Sequence, residues 1–435
     1  MQAREIPRGA VSRALDSAEN ASPVDAVESV TRRLGLALGA TAASFLISDL
    51  SGRALVRLAH IPLTDGPGNS PRTSDERRVG EESATVLPFD GGPAEQAMRS
   101  QEVHVQPPAD PPSVGSPAWT VLAPVTERGE AIGLLELLLP AEPDAATVAE
   151  IARTAHLLAF VIIANRRHTD LFEWGRRTRP FTLAAEIQQR LLPGAYTCEA
   201  GAFTLAAWLE PAASVAGDAF DYSVDRDILH LSVTDAMGHG VASAMTASIS
   251  AAALRGTRRQ GASLPDQATS ANAALVEHAS RTADEGFATA LLGRIDLPTG
   301  RLDLVNAGHL LPFLSRGGRV APIELAPDLP LGLFAEATYR ATSHALEHGD
   351  RLVVVTDGML EHGAAHYDLP AGIHRTSALH PREMVRVLAD DVLAATGHAL
   401  SDDATVLVLD WHGNHDQDRT TIAGADPRRS SGTIS

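Results

Sequence analysis

The chain has 435 residues, 44% hydrophobic and 21% charged, enough for two or three cores of ordinary domain size. Its formal charge of −18 runs against the basic patches that nucleic-acid binding requires, so no nucleic-acid partner is expected. All 36 basic residues are arginine. Without a lysine, a P-loop, a protein kinase and a pyridoxal enzyme are each excluded, and phosphate chemistry must rest on metal, arginine or backbone N–H groups. The single cysteine, Cys198, excludes a disulfide framework and a cysteine-ligated zinc, and fits a reducing cytoplasm.

Residues 1–22 are polar, lack the basic-then-apolar order of a leader, and are expected as a disordered tail. The longest apolar runs, "HLLAFVIIAN" and "IGLLELLLP", are about half of what a spanning helix needs, so no membrane association is expected. From Pro23, Val24, Val27, Val30 and Leu34 recur near helical spacing. "TAASFLISDLSG" and "RALVRLAHI" read as strands. Residues 63–82 and 106–117 are breaker-rich loops, and "TVLAPVTERGEAIGLLELLLP" reads as two strands turning near Glu127–Glu130. A long helical pattern then runs from about 144 to 177. Residues 23–150 thus form an α+β pattern that resembles a GAF domain, a sensor and dimerisation module. That resemblance implies a small-molecule ligand, although a domain with no ligand fits the pattern equally. Residues 151–195 are expected as connecting helices that leave this domain, and such a helix can pair with its copy in a homodimer. In "FTLAAEIQQRLLPGAY", Leu183, Ile187 and Leu191 share one face, and Pro193-Gly194 stops the helix.

From 196 to 412 the pattern changes to many short strands with a few helices. "AFTLAAWLEP" and "DILHLSVTD" are strands. "GVASAMTASISAAALR" and "SLPDQATSANAALVEHAS" are helices. "ATALLGRIDLPTGRLDLVNAGH" is a hairpin. "RLVVVTDG" is a strand buried on both faces, and "HPREMVRVLADDVLAAT" leads to the closing strand "DDATVLVLDW". Residues 413–435 are expected as a second disordered tail.

Acidic residues punctuate this half. Asp218 and Asp221 follow a glycine in "ASVAGDAFD", and Asp235 closes a strand in "SVTDAMGHG". Asp357 closes the apolar strand in "VVVTDGMLEH", and Asp402 and Asp403 precede the last strand. Each alone reads most simply as a turn former. Together at strand ends they would repel, unless a divalent cation turned them into ligands. Oxygen donors without cysteine suit a hard ion, Mg²⁺ or Mn²⁺.

The ordered set "AAEIQQRLLP", "EPAASVAGDAFDY", "TDAMGHGVASAM", "FATALLGRID", "LVNAGHLLPFL", "LPLGLF", "GDRLVVVTDGMLEH" and "SDDATVLVLDW" resembles the SpoIIE/RsbU branch of the PPM metal-dependent serine/threonine protein phosphatases. The resemblance covers about half the chain. It implies a β-sandwich flanked by helices with a two-metal centre at one edge. Asp235 then matches the bridging ligand, joined by the Ala236 carbonyl. Asp357 and Asp402 match ligands on the other ion, and Asp218 the residue supporting the second. Asp403, Asn306, His309 and Gly238 fall around them, with Asp221 structural or further out.

Two departures stand out. The common "GGD" is Ala216-Gly217-Asp218, and the general-acid histidine of eukaryotic relatives is replaced by Met237, a role that His239 should not inherit. Met237 and Met245 are read as packing residues. For His309 a hydrogen-bonded turn is favoured over direct chemistry.

The resemblance further implies hydrolysis of phosphoserine or phosphothreonine on a protein, an anti-sigma-factor antagonist of the STAS type. The GAF-like domain would regulate it through the connecting helix. The alternative from another class is a non-catalytic sensor or scaffold with a phosphatase-like domain.

Overall fold

A computed structural model describes residues 10–431, except 51, 64–85, 90, 109–117, 178–180, 212–216, 283–285, 361–366, 398–399, 414–418, 420 and 422. Most of the two expected long loops, and Ala216, lie outside the described residues. The chain divides into two compact units, one of residues up to 180 together with 420–435, the other Phe181–Arg419.

The first unit is built on one antiparallel sheet. Its strands are β1 (Ala42–Ser48), β2 (Ala54–Pro62), β3 (Val86–Pro88), β4 (His104–Gln106), β5 (Trp119–Glu127) and β6 (Glu130–Leu139), in the order β3-β2-β1-β6-β5-β4. Its helices are α1 (Ala10–Glu19), α2 (Ala26–Leu38), α3 (Pro93–Ser100), α4 (Ala145–Asn165) and α5 (Leu171–Gly175). Side chains alternate across a strand, so Phe45 and Ile47 join the core shared with α2 and α4, while Leu46 joins Ala97 and Met98 of α3. The β5–β6 hairpin turns where the pattern predicted, with Glu127 opposite Glu130.

Three expectations change here. The helix after residue 144 does not run on to 177. Asp144 caps α4 by accepting from the Thr147 N–H at 2.8 Å, and the helix ends at Asn165. Ile151, Ala155, Leu158 and Ile162 bury it in this unit's own core, which makes it a domain helix and not a connector. It is also the one described helix long and apolar enough to cross a membrane, longer than its apolar runs suggested. The N-terminal segment is no tail from residue 10 onward, because α1 buries Ala18 and packs Ala14 against the same core. The C-terminal segment is also ordered in part. The Gly424 carbonyl accepts from the Gly129 N–H at 3.0 Å, and Asp426 is fully buried and held by Arg428. Polar composition misled in both tails, because backbone bonds and small residues, not apolar runs, hold them.

The second unit contains two facing sheets. One contains β9 (Asp218–Val224), β10 (Ile228–Ala236), β11 (Ala288–Asp296), β12 (Arg301–Ala307) and β15 (Thr342–Ala345), in the order β15-β12-β11-β10-β9. The other contains β7 (Thr197–Glu199), β8 (Phe203–Glu210), β13 (Phe313–Arg316), β14 (Arg319–Pro322), β16 (Arg351–Val355) and β17 (Ala404–Trp411), in the order β14-β13-β16-β17-β8-β7. Leu205, Phe220, Leu231, Leu304, Val354 and Leu407 interleave between the sheets. Outside, α7 (Gly240–Arg259) and α8 (Leu264–Thr282) cover the first sheet through Ala247, Leu254, Ala268 and Leu275. On the other side, α9 (Leu369–Arg375) and α10 (Pro381–Ala395) cover the second through Ile373, Val385 and Leu388. This coverage explains the unbroken apolar runs of β16 and β17, whose residues face helices on one side and the sandwich interior on the other.

The remaining helix, α6 (Leu183–Leu191), opens the second unit. Its Thr182 side chain caps it by accepting from the Ala185 N–H. The buried face overlaps the one predicted, with Ile187 and Leu191 half-buried and packed, but it turns away from Leu183. Leu183 is 66% exposed, while Ala184 and Gln188, one turn apart, are buried. Ala184 packs on Ala244 of α7, with Ile187 beside it.

Candidate active site

All but Asp221 of the carboxylates singled out in sequence sit at one edge of the sandwich, where both sheets end. Asp218 opens β9 and stands opposite Asp235 near the end of β10. Across from them, β16 ends at Val355, paired with Val406 of β17, so Asp357 and Asp402–Asp403 leave the second sheet at the same end. Thr356, the residue before Asp357, continues the ladder by donating its N–H to the Thr405 carbonyl at 3.1 Å.

Hydrogen bonds join the two sheets at this edge. The hydroxyls of Thr356 and Thr405 both donate to Asp218 Oδ2, at 2.7 and 2.5 Å. Thr356 Oγ1 in turn accepts from the Thr405 N–H at 2.9 Å. The Gln188 amide donates to the Asp218 carbonyl at 2.9 Å and to Asp403 Oδ2 at 2.5 Å. The Asp403 N–H donates to Asp402 Oδ1 at 2.7 Å. Two glycines let the backbones close. A side chain at 217 would stand 2.3 Å from the Ala236 carbonyl oxygen, and one at 358 would stand 2.0 Å from the Asp403 carbonyl oxygen.

Charge accumulates here. Asp218, Asp235 and Asp403 are all buried, Asp403 completely. Burial first, then the charges of Asp235 and Asp403, hold the Asp218 carboxyl well above the usual carboxylate range, and the two threonine bonds only partly offset this. A divalent cation is the group that relieves such crowding, and the donors are oxygen only, as a hard ion requires. The residues therefore fit a Mg²⁺- or Mn²⁺-type centre in donor chemistry. Among the described residues, however, no three His, Cys, Asp or Glu side chains converge into a closed ligand cage.

The other sequence candidates fall elsewhere. Asp221 is no outer member of this cluster; its carboxylate takes Arg255 in two bonds at 3.0 Å and Arg258 at 2.8 Å, and Arg255 also reaches the Leu191 carbonyl. Asn306 and His309 form a turn lock, with Asn306 Oδ1 accepting from the His309 N–H at 2.7 Å and Asn306 Nδ2 donating to the His309 carbonyl at 3.0 Å. His309 Nδ1 pairs with the Thr289 hydroxyl at 2.8 Å, and burial pushes its pKa down to about 4. Gly238 (φ 104°) and Gly240 (φ 72°) shape the turn into α7, and His239 is its exposed N-cap with no capping bond from its side chain. Met237 is 49% exposed and Met245 is exposed as well, so neither is the packing residue its composition suggested. On α7 the core positions fall instead to alanine, serine, Thr246 and Leu254.

Gln188, Thr356 and Thr405 were not anticipated as site residues. The two threonines had a signal, since each lies within two residues of a candidate aspartate. Gln188 had none in periodicity, being a polar residue on a helix face read as apolar.

Two facing sheets, helices outside both and an acidic edge where the strands end are the architecture that the resemblance to the PPM, or PP2C, phosphatases implied. Residues 225–412, within the second unit, match the family described as Stage II sporulation protein E (SpoIIE). Stage II sporulation protein E of Bacillus subtilis (strain 168) is 28% identical over 134 residues, covering 30% of this chain and 16% of the relative. Phosphoserine phosphatase RsbU of the same organism is 24% identical, over 52% of this chain and 68% of the relative. The chain thus spans a minor part of the sporulation protein's length. Among solved structures, the SiaA-PP2C domain of Pseudomonas aeruginosa is 20% identical, with a TM-score of 0.44, over 52% of this chain and 94% of that one.

Proposed function

We propose that this protein hydrolyses phosphoserine or phosphothreonine on a protein substrate, with two divalent cations, Mn²⁺ or Mg²⁺, held at the sandwich edge. The observation that carries the reading is the gathering of Asp218, Asp235, Asp357, Asp402 and Asp403 at the one edge where both sheets end. Asp235 would serve both ions, and the Ala236 carbonyl would help hold one of them. Asp357 and Asp402 would hold one of them, and Asp218 would support the other. When bound, such ions supply an activated water and neutralise phosphoryl oxygens.

The chain's own groups provide the frame. Thr356 and Thr405 fix the Asp218 carboxylate by donating to one of its oxygens, leaving the other oriented by the same grip. The Asp403 N–H fixes Asp402 in the same way. No cysteine nucleophile competes, because Cys198 is buried in the sandwich core. The substrate we favour is a phosphorylated STAS-type anti-sigma antagonist, supported by the likeness to RsbU, and the first unit is proposed as a GAF-like regulatory domain.

One observation favours the rival reading of a non-catalytic scaffold, namely that the carboxylates do not close into a cage among the described residues. Phosphate release from a phosphoserine peptide, with Mn²⁺ and with EDTA, separates the two. Hydrolysis that requires Mn²⁺ and disappears in Asp235→Ala and Asp357→Ala is expected. Activity that persists in EDTA, or survives both substitutions, would sink the mechanism.

A further inference from the structure

The segment "LPLGLF", residues 329–334, lies between β14 and β15 and supplies no carboxylate to the acidic edge, yet the chain holds it firmly. Leu331 exchanges both backbone bonds with Ala288, at 2.9 and 2.8 Å, and is fully buried in the core that contains Ala236, Ala288 and Leu275. Asn272 of α8 clips the turn that follows, its Oδ1 accepting from the Gly332 N–H at 2.8 Å and its Nδ2 donating to the Phe334 carbonyl at 3.0 Å. Gly332 sits at φ 89°, and a Cβ there would stand 2.8 Å from Leu275 Cβ, which is why glycine occupies the turn. Just before the segment, Asp328 accepts from the backbone and the side chain of Arg340. A segment bonded at so many points is not frayed, and still it turns Leu329, Leu333 and Phe334 to solvent, at 46%, 42% and 53% exposure. Apolar side chains scattered singly need no account, but three from six consecutive residues on a rigid support mark an interaction surface.

Backbone pairing places this surface beside the acids. Ala236, the residue after Asp235, stands opposite Ala288, and Ala288 bridges to Leu331, so the three lie in one row across the sheet end. Neighbouring strands are about 4.8 Å apart, which puts Leu331 about 10 Å from the strand of Asp235. Met237 lies in the interval, its N–H donating to the Phe287 carbonyl at 3.0 Å and its side chain exposed. We propose that this segment is the docking platform for the protein substrate, and that it takes up an apolar side chain about three residues from the phosphoserine. This rests on the phosphatase reading above. An extended chain advances about 3.3 Å per residue, so about three residues cover the distance from the acids to Leu331. The occupant follows from continuity. A phosphoserine seated at the acidic edge carries its neighbours onto what lies next along the sheet end, and there the chain presents Met237, Leu333 and Phe334. Because the platform is already bonded in place, little ordering opposes binding to it.

The test uses the full chain with Mn²⁺ and three probes: p-nitrophenyl phosphate, and two otherwise polar phosphoserine peptides that carry leucine or alanine at the third position on each side of the phosphoserine. Wild type is expected to turn over the leucine peptide with a kcat/KM about 10- to 100-fold above that for the alanine peptide, the effect of burying one such side chain. The difference should lie in KM, since a contact made equally before and during the reaction is uniform binding. Leu333→Ser, Phe334→Ser and the double variant are expected to lose the preference, read as the ratio of the two peptides. Both side chains are exposed, so the fold is not at stake. Equal turnover of the two peptides by wild type, a preference that survives in the double variant, or hydrolysis of p-nitrophenyl phosphate with neither peptide accepted would overturn the platform. So would concentration-dependent self-association that Phe334→Ser abolishes, which would give the face to a second copy of the chain. If wild type hydrolyses none of the three probes, the phosphatase reading itself fails, and the platform with it.

Discussion

Gly358 follows Asp357 directly, and its missing side chain has a measurable consequence. A Cβ at 358 would stand 2.0 Å from the Asp403 carbonyl oxygen and 2.8 Å from the carbonyl carbon, where ordinary contact begins at 3.4 Å. Gly358→Ala must therefore drive the exit of β16 and the entry of β17 apart by about 1.4 Å, and backbone cannot yield as a flexible side chain would. Overpacking of this kind costs about 1–3 kcal/mol, and with backbone on the receiving side the upper end, about 3 kcal/mol, is expected. The same displacement moves Asp357 away from Asp402 and Asp403, so Mn²⁺ affinity should fall with stability. Urea unfolding in EDTA gives the first quantity, and the Mn²⁺-induced shift of the midpoint gives the second. Gly256→Ala is the control, since nothing lies within 4 Å of a Cβ there. In the last turn of α7 it should be neutral or stabilise by up to about 0.5–1 kcal/mol. A Gly358→Ala chain as stable as wild type would refute the close approach. A destabilised one with wild-type Mn²⁺ affinity would refute the placement of these carboxylates at one centre.

Other expectations follow from the same edge and its surroundings. Asp221→Ala leaves Arg255 and Arg258 without their shared carboxylate and should cost about 2 kcal/mol in urea unfolding. Its Mn²⁺ affinity should be unchanged, because Asp221 is an arginine clasp and not a member of the acidic cluster; a tenfold loss would reverse that assignment. His309 titrates near 4 when folded against 6.5 when free, so the unfolded chain takes up its proton first. The stability it confers is full above about pH 6.5 and is lost as pH falls toward 4, by on the order of 3 kcal/mol. His380, whose pKa burial also lowers, adds a loss of the same sign. Midpoints recorded in EDTA from pH 7 to 4 should therefore fall more steeply in wild type than in His309→Gln, and parallel curves would contradict this.

How much of this was legible in sequence depended on which physical signal a residue carried. β16 and β17 announced themselves because helices cover one face and the sandwich interior the other, so both faces demanded apolar residues. The β11–β12 hairpin showed in its alternation and turn residues, and Asp296 pairs with Arg301 as that pattern requires. The acids were legible because carboxylates in succession at strand ends are costly without a purpose. Helix ends were harder. A periodic apolar run from 144 onward does not say where α4 leaves the core, since the chain around Arg166–Asp170 ends the helix without a glycine or proline.

Gln188 marks the limit of periodicity more sharply. Apolar spacing assigned the buried face of α6 to Leu183, Ile187 and Leu191, on the assumption that burial follows hydrophobicity. The helix packs Ile187 and Leu191 as that spacing requires, yet its fully buried positions are Ala184 and Gln188, one turn apart, and Leu183 is exposed. An apolar residue at 188 would gain transfer energy yet remove one donor from a buried carboxylate and a buried carbonyl, a penalty on the order of 1–3 kcal/mol. The polar residue is the better solution only because its acceptors arrive from 30 and 215 residues away. No window of local sequence contains that information. Where a helix that should bury leucine buries an amide instead, the cause lies in what the rest of the chain brings to that face, and here it brings the acidic edge.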